Sequence, residues 1–244
     1  MKIVITGAGG FLGWHTRLRL AALTDHEVRS VTRENWAELT ELVADADAVI
    51  HIAGVNRAAS DDAVERGNIQ LGADLAAAVT ASGRALRVAM AGTIQVERDN
   101  AYGRGKLAAQ NLIAEATRAL GGHFVDVRLP NLFGEHGAPN YNSFVATFVE
   151  SVINGETPQI NDNPVELLHA QDAAQALMDA FETSEEMLRP TGELTGVIAV
   201  WDLLQEFHRS YVPIGEIPDL SSKFRIDLFN TYRTGLLLAG RTGR

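Results

Sequence analysis

The pair Tyr102 and Lys106 is the strongest chemical signal in the sequence. The two residues are four apart, so on a helix they lie on one face, one turn from each other. A tyrosine has a pKa of about 10 and is a slow acid or base at neutral pH, but an adjacent ammonium favours the phenolate and lowers that pKa. The pair therefore suits hydride transfer to or from a carbonyl group, with Lys106 also hydrogen-bonding the ribose of a nicotinamide.

Chance does not readily explain this pair. The chain has only four tyrosines and three lysines, so about 0.05 Tyr-to-Lys pairs are expected at one fixed spacing. The alternative is an exposed helix pair without a catalytic role. A third group, Thr93, lies between the preceding strand and Tyr102. Its hydroxyl can donate to the oxygen of a carbonyl that is being reduced, although a threonine at this place can also simply cap a turn.

A glycine-rich loop near the N-terminus is the second signal. Gly7 permits a tight turn, Gly10 lets the backbone approach a pyrophosphate, and Gly13 lets the following helix pack against the preceding strand. The helix that follows begins at Phe11, and its first residues, Phe11 and Leu12, offer free N–H groups and a partial positive charge to the phosphates. The loop therefore predicts a dinucleotide site, with a purely structural turn as the alternative.

The residues after the second predicted strand bear on the choice of cofactor. The adenosine ribose is expected there, and a carboxylate would favour the free 2′-hydroxyl of NAD. The sequence instead has Thr32 followed by Arg33. An arginine can hold a 2′-phosphate, so we expect NADP, supplied as NADPH. NAD stays possible because Glu34 is adjacent, and Arg33 can also be an ordinary surface residue.

Hydrophobic periodicity predicts the elements that hold these groups. Buried strands are expected at 2–6, 28–32, 47–53, 85–91 and 123–129, helices at 11–23, 36–44, 61–82, 102–120, 143–153 and 171–182, and a short extended stretch at 166–168. The alternation predicts an α/β fold with a doubly wound parallel sheet of the Rossmann type. We expect a dinucleotide-binding core over 1–135 and a small, mostly helical substrate-binding part over 136–244, interleaved with the core and ending in a loose tail at 241–244.

Composition sets the broad class of protein. The chain has 244 residues, of which 46% are hydrophobic, so it can bury a full core. A net charge of −10 disfavours nucleic acid as a partner. There is no cysteine, and the seven histidines lack ligand spacing, so no metal site is expected and single histidines such as His51 are interpreted as core or loop residues. Without a signal peptide or a membrane span, a cytoplasmic protein with no membrane partner is expected.

Several short motifs resemble the extended short-chain dehydrogenase/reductase superfamily. They are Thr6-Gly7-x-x-Gly10-x-x-Gly13, His51-Ile52-Ala53-Gly54, Asn68, Thr93, Tyr102-x-x-x-Lys106 and Arg128-Leu129-Pro130-Asn131. The resemblance implies that Ala53, Gly54 and Pro130 contact the cofactor. It also implies a homodimer formed through the two Ala-rich helices, 68–82 and 107–120, although small residues on these helices can equally serve packing within one chain.

A second set of motifs resembles the reductase half of the bifunctional capsular-polysaccharide UDP-sugar enzymes. The set includes 53–57, 94–95, 99–103, 128–134, 139–143, 145–148, 161–162 and 165–166. The similarity extends to about residue 170 and resumes near 219–232. It implies NADPH-dependent reduction of a 4-keto UDP-N-acetyl-dideoxyhexose, with Tyr102 as general acid, Lys106 holding the ribose and Thr93 contacting the carbonyl. The residues expected to face the nucleotide sugar are Asn131, Asn140, Tyr141, Asn142 and Ser143.

Departures from that second family keep other activities open. The family carries a second, metal-binding cupin domain that we do not expect within 244 residues. Gly92 and Gly105 occupy positions where serines are usual, and Ala101 replaces a proline. The alternatives are a ketoreductase of another small-molecule or natural-product pathway, a nucleotide-sugar epimerase or dehydratase with bound NAD+, and a non-catalytic NADP sensor. Arg57, Arg104 and Arg128 could contact phosphates, but surface or packing roles are commoner for such residues.

Overall fold

The computed structural model describes residues 1–240 and divides the chain into two compact units. The first unit comprises Met1–Leu129 together with Gln171–Pro190. The second comprises Pro130–Ala170 and the chain from Thr191 onward. The tail predicted at 241–244 lies outside the described residues.

A parallel sheet of six strands forms the centre of the first unit. The strands are β1 (Lys2–Thr6), β2 (Glu27–Val31), β3 (Ala48–His51), β4 (Arg87–Thr93), β5 (His123–Leu129) and, after two strands of the second unit, β8 (Met187–Leu188). Their order is β2-β1-β3-β4-β5-β8, and each neighbouring pair is parallel. The chain goes outward from β1 to β2 and then returns to β3, so a crevice opens beyond the carboxyl ends of β1 and β3. The predicted doubly wound α/β fold is confirmed.

Helices cover both faces of this sheet. They are α1 (Phe11–Leu23), α2 (Leu39–Val43), α3 (Asp61–Ser82), α4 (Ala101–Ala119) and α6 (Ala170–Asp179). Val4, Val49 and Val88 face one core with α2, α3 and α4. Since side chains alternate along a strand, Ile5 and Ile50 point to the opposite face, where they are also buried. Every β-strand side chain near the centre of the sheet is therefore shielded, as expected for parallel pairing.

Small residues let α3 and α4 pack closely against each other. A Cβ on Gly72 would lie 2.5 Å from Cα of Ala109, and a Cβ on Gly105 would lie 2.8 Å from the carbonyl oxygen of Glu65. The small residues at this contact thus serve packing within the chain, while the pairing of two copies through these helices stays a prediction. The side chain of Asn100 begins α4 by accepting a hydrogen bond from the N–H of Gly103 at 2.8 Å.

The second unit combines a three-stranded sheet with three helices. Its elements are β6 (Asn131–Phe133), α5 (Phe144–Asn154), β7 (Pro164–His169), β9 (Glu193–Gly196), α7 (Val197–Ile214) and α8 (Lys223–Leu238). The sheet order is β6-β7-β9, with β6 parallel and β9 antiparallel to β7. Aromatic pairs fill the core: Phe148 and Trp201 have centroids 5.4 Å apart, and those of Phe207 and Phe229 are 5.3 Å apart.

The predicted elements of the first 129 residues are observed with shifts of a few residues at their ends. The helix predicted at 36–44 divides into a 3-10 turn (Trp36–Glu38) and α2. The sequence missed β6, β8 and β9 because they have only three, two and four residues, too few for an alternation of polar and apolar residues to be read. Within residues 1–240, no helix combines the length and apolar character needed to cross a membrane.

Candidate active site

The glycine-rich loop owes its shape to two of its three motif glycines. Gly7 has φ +71, and a Cβ there would lie 2.7 Å from the backbone nitrogen of Ala53. A Cβ on Gly13 would lie 2.8 Å from Cα of Ala8 and would collide with the carbonyl oxygen of Gly7. Gly10 is different, because it is exposed and its Cβ would come no closer than 3.3 Å to that oxygen. The fold therefore requires glycine at 7 and 13, whereas position 10 leaves space open to solvent.

The N-terminus of α1 presents free backbone donors at this loop. Gly10 is the N-cap residue, and no side chain caps the helix. The first N–H bonded within the helix is that of Trp14, which donates to the carbonyl of Gly10 at 2.8 Å. The N–H groups of Phe11, Leu12 and Gly13 therefore have no acceptor in their own helix. Such an end binds a pyrophosphate well, so the loop fits the dinucleotide that its glycine pattern predicts.

The end of β2 leaves Arg33 available and Glu34 engaged. The hydroxyl of Thr32 donates a hydrogen bond to Glu34. This bond, with smaller contributions from the backbone N–H of Glu34 and the charge of Arg33, lowers the pKa of the Glu34 carboxyl. Arg33 is exposed and forms no hydrogen bond or ion pair among residues 1–240. Arg33, which follows β2 and has no hydrogen-bond partner, is therefore compatible with a 2′-phosphate. The carboxylate of Glu34 already accepts a hydrogen bond from Thr32.

Asn68 on α3 fixes the loop that follows β3. Its side chain is buried; Oδ1 accepts from the N–H of Val55 at 3.1 Å, and Nδ2 donates to the carbonyls of Val55 at 2.8 Å and Val64 at 2.9 Å. Ala53 and Gly54 lie just before this anchor. A Cβ on Gly54 would be 3.9 Å from Nζ of Lys106. The loop after β3 and the lysine of α4 are thus brought together.

Lys106 is a buried cation without a hydrogen-bond partner. Its side chain is only 3% exposed, and it makes no hydrogen bond or ion pair within the described part of the chain. Burial lowers the pKa of Lys106 to about 8, and the negative charge of Asp126 opposes that fall. At neutral pH the ammonium therefore remains mostly charged, with its donors available to a ligand at Gly54.

The pKa of Tyr102 differs from the value expected from the sequence. Burial raises the pKa of Tyr102 to about 12, so the predicted lowering of this pKa by the nearby ammonium is wrong. Loss of water around the half-buried phenol is the cause, because removing solvent penalises the charged phenolate. Tyr102 consequently carries its proton at neutral pH, which is the state that a general acid needs.

Thr93 is the last residue of β4 rather than a residue beyond it. Its Oγ1 accepts a hydrogen bond from the N–H of Gln95 at 3.2 Å, so the threonine does cap a turn. The hydroxyl hydrogen is left to donate elsewhere, so the cap and a contact with a carbonyl oxygen are compatible. A Cβ on Gly103 would lie 3.0 Å from the carbonyl carbon of Gln95. The turn capped by Thr93 therefore packs directly against the first turn of α4, which carries Tyr102.

His51 is a core histidine that joins the ends of β1 and β3. Its Nδ1 lies 2.8 Å from Oγ1 of Thr6, and its ring is 1% exposed. Burial, with the positive charge of Lys106 as a smaller cause, lowers the pKa of His51 to about 3. His51 is thus neutral at physiological pH, as the sequence interpretation of single histidines expects. Across residues 1–240, no three His, Asp or Glu side chains are grouped in a way that could hold a metal ion.

Asp126 on β5 is the charged residue that the sequence analysis missed. Its carboxylate is 2% exposed, and Oδ2 accepts a hydrogen bond from Nε of Arg128 at 2.9 Å. A lone acidic residue in the apolar run of β5 was the available signal. Arg104 is similarly engaged on the surface, with Nη2 2.8 Å from Oε2 of Glu65. Neither arginine is therefore the free phosphate contact that the sequence allowed for.

The residues expected to face a sugar lie in the second unit. Asn131 begins β6, and its Nδ2 donates to the carbonyl of Glu166 at 3.4 Å. Asn140 has φ 56 and its Nδ2 donates to Glu150 at 3.0 Å. Ser143 caps α5 by accepting from the N–H of Ala146 at 3.4 Å. Also in this unit are Pro130, directly before β6, and the exposed residues Tyr141 and Asn142. Their roles toward a ligand stay predictions.

Comparison with known proteins places the chain in a family, and the matched region includes the glycine-rich loop. The model of the NAD dependent epimerase/dehydratase family matches residues 3–191. The chain belongs to this epimerase/dehydratase family. The family resemblance predicted from the motifs is thereby confirmed.

Two relatives share substantial sequence identity with this member of the family. The UDP-2-acetamido-2,6-beta-L-arabino-hexul-4-ose reductase of Pseudomonas aeruginosa is 33% identical over 228 residues, which cover 92% of this chain and 58% of that protein. The capsular polysaccharide assembling protein CapF from Staphylococcus aureus is 30% identical, with a TM-score of 0.81 over 96% of this chain and 66% of that chain. The chain thus spans less than two thirds of either relative, and the similarity extends well beyond residue 170.

A more distant structure of the same architecture is the UDP-glucuronic acid 4-epimerase of Bacillus cereus, crystallised with UDP-glucuronic acid and NAD. It is 18% identical, with a TM-score of 0.81 over 98% of this chain and 100% of that chain. At this identity the likeness concerns the fold alone.

Proposed function

We propose that the chain is an NADPH-dependent reductase that acts on the 4-keto group of a UDP-linked deoxyhexose. The observation that carries the proposal is the buried ammonium of Lys106, which has no hydrogen-bond partner among the described residues and lies beside Gly54, after β3. A ribose hydroxyl at this point would give that ammonium an acceptor. The name of the 33%-identical Pseudomonas aeruginosa relative describes a reductase of a UDP-linked hexul-4-ose, which supports the substrate class.

The chain's own residues supply proton transfer and orientation. When bound, a reduced nicotinamide dinucleotide would supply the hydride. Tyr102 donates its proton to the carbonyl oxygen, and the hydroxyl of Thr93 donates a hydrogen bond to the same oxygen. An ammonium favours a phenolate near it, so the charge of Lys106 would stabilise the phenolate that Tyr102 becomes once it has given up its proton.

NADPH is proposed over NADH because of the end of β2. Arg33 has no hydrogen-bond or ion-pair partner among the described residues, whereas Glu34 is bonded to Thr32. A guanidinium can pair with a 2′-phosphate in a bidentate manner. The free N–H groups after Gly10 would hold the pyrophosphate, and Ala53 and Gly54 would line the path to the nicotinamide.

The sugar would contact the second unit, and two copies of the chain would pair through α3 and α4. Asn131 and the stretch 140–143 carry amides and hydroxyls suited to hydroxyl and acetamido groups of a sugar. On α4, Leu107 and Leu112 remain 39% and 37% exposed, which leaves apolar surface for a second copy. Analytical ultracentrifugation of the full chain tests this pairing: a dimer supports it, and a monomer at micromolar concentration contradicts it.

The direct test measures NADPH consumption with a UDP-4-keto-deoxyhexose. We expect turnover with this ketone and much less with simple ketones that lack a nucleotide. Turnover only with non-nucleotide ketones would contradict the substrate class. Purified protein that carries tightly bound NAD+ and does not oxidise NADPH would contradict the reductase and favour an epimerase or dehydratase.

A further inference from the structure

A buried acid lies behind the candidate active site and has no place in the proposed reaction. Asp126 is on β5, opposite Met90 of β4 in the parallel register. Its Oδ2 is bonded to Arg128, but its Oδ1 is buried and has no hydrogen-bond partner among the described residues. An unsatisfied buried carboxylate oxygen is costly, so its retention at this position requires an explanation.

Gly92 makes room for this oxygen. A Cβ at position 92 would lie 3.0 Å from Cγ of Asp126 and would overlap with Oδ1. Any larger residue there would force the carboxylate to turn away. Gly92 and Asp126 thus form a matched pair in which the absence of a side chain on β4 permits the acid on β5.

The free oxygen lies on the face of the sheet that α4 covers. Phe124, two residues before Asp126, belongs to the core shared with α3 and α4, and residues two apart on a strand share a face. Lys106 is on α4 and is buried. An acid with an unpaired oxygen therefore lies on the face of the sheet that is covered by α4, the helix that carries the buried Lys106.

We propose that Asp126 is the internal counter-ion of Lys106, a positioning residue that keeps the ammonium charged and oriented toward the loop after β3. The interaction is reciprocal. The negative charge of Asp126 opposes the burial that lowers the pKa of Lys106. Burial raises the pKa of Asp126, and this rise is opposed by the hydrogen bond from Arg128 and by the charges of Arg128 and Lys106.

Other charged groups around Lys106 do not replace this acid. His51 faces it from β3 as a neutral ring, and Tyr102 on its own helix is a neutral phenol at physiological pH. From the other elements packed against α4, Glu65 is paired with Arg104 on the surface, and Glu97 lies 3.5 Å from both Arg128 and Arg189. Asp126 is also paired with Arg128, but among the described residues it is the anion whose charge acts on the pKa of Lys106.

The test uses the fact that the chain has only three lysines, Lys2, Lys106 and Lys223. In the full-length protein with 13Cε-labelled lysine, each lysine gives one titrating NMR signal, assigned by single Lys→Arg replacements. We expect Asp126→Asn to move the titration midpoint of Lys106 to lower pH by about one pH unit or more, because an opposite charge nearby favours the ammonium. An unchanged midpoint in the folded variant would overturn the proposal.

Asp45→Asn is the matched control. Asp45 is exposed and lies 2.7 Å from Nζ of Lys2, so this variant also removes a carboxylate beside a lysine. It should alter the Lys2 signal and leave the Lys106 midpoint in place. If both lysines respond to either variant, the effect is a general change in charge and the proposal fails.

If Asp126→Asn does not fold, a second variant and a measurement on the wild-type protein still test the proposal. Asp126→Val introduces a residue that suits a buried strand and predicts the same fall in the Lys106 midpoint. In the wild-type protein, the Lys106 signal should also carry a second, smaller inflection on the acid side, where Asp126 takes up its proton. A Lys106 curve with a single inflection would contradict the pairing without any variant.

The consequence for catalysis rests on the proposed reductase function. In Asp126→Asn, the basic limb of the pH dependence of kcat/KM for NADPH-dependent reduction should move to lower pH by the same amount as the NMR midpoint. A merely structural defect would lower activity without moving this limb. The lysine titration needs no substrate, so an inactive wild-type protein would refute the reductase while leaving the charge interaction between Asp126 and Lys106 open to measurement.

Discussion

The glycine-rich loop and the group formed by Lys106, Asp126 and Tyr102, called here the Lys106 cluster, belong to the same unit but act through different physical effects. The loop acts through backbone shape: Gly7 and Gly13 remove side chains that would collide, and free N–H groups face outward. The Lys106 cluster acts through charge and burial: Lys106 and Asp126 shift each other's pKa, and burial raises the pKa of the Tyr102 phenol. The comparison predicts that substitutions in the loop act through steric clashes, whereas substitutions in the Lys106 cluster change the pH dependence of turnover.

Removing the phenol should produce the largest effect. Tyr102→Phe deletes the proton donor but keeps the ring, so we expect kcat to fall by about 10²- to 10⁴-fold. The dissociation constant of NADPH, measured by fluorescence titration, should change little. Activity near the wild-type level would show that Tyr102 is not the general acid. It would also contradict the assignment of proton transfer to the Lys106 cluster.

Two glycine variants separate the fold from ligand binding within the loop. Gly13→Ala places a Cβ against the carbonyl of Gly7, and we expect a loss of about 1–3 kcal/mol in the free energy of unfolding. Gly10→Ala brings only a tight 3.3 Å contact with the same oxygen, so it should cost less of that free energy than Gly13→Ala while weakening NADPH binding. Chemical denaturation and fluorescence titration measure the two quantities.

Gly9→Ala serves as the control for stability, since its Cβ would meet only Cγ2 of Thr32 at an ordinary 3.6 Å. Equal destabilisation by all three variants would show that the loop is constrained uniformly, contrary to the structure.

The pH dependence of turnover should come from the Lys106 cluster and not from the glycine-rich loop. Burial lowers the pKa of Lys106 to about 8, so the active ammonium is present below this value and is lost as pH rises through it. We expect kcat/KM to fall above about pH 8, approaching tenfold per pH unit. The binding defect of Gly10→Ala should be the same at pH 6 and pH 9. A defect that varies with pH would show that the two regions are coupled.

Arg33→Ala should have the smallest effect because the residue is exposed. Loss of one charged contact to a 2′-phosphate is expected to weaken NADPH by about tenfold, with little change for NADH. The control is Arg66→Ala, since Arg66 is an exposed arginine that pairs with Asp62 on α3. Equal losses for NADPH and NADH would separate Arg33 from the 2′-phosphate and weaken the case for NADP.

The sequence predicts backbone features better than electrostatic ones. The strand, glycine loop and first helix are set by local spacing, so their bounds, Lys2–Thr6 and Phe11–Leu23, agree with the prediction. The pKa of Tyr102 was predicted in the wrong direction, because spacing on a helix shows which groups are neighbours but not how much water surrounds them. Asp126 was missed for a related reason: its relation to Lys106 depends on strand pairing and on the space at Gly92, which no local pattern encodes.

The sixth strand has a consequence for synthesis on the ribosome. Strands β1 to β5 are complete at Leu129, whereas β8 follows residues 130–186. Translation of that segment takes roughly 3–12 s at typical rates. During this time the edge of β5 is unpaired, and the N–H of Asp126 lacks the carbonyl of Glu186 that it later bonds at 2.9 Å. The nascent sheet therefore presents an open edge to other chains for seconds, so truncation before β8 should favour aggregation over a stable half-domain.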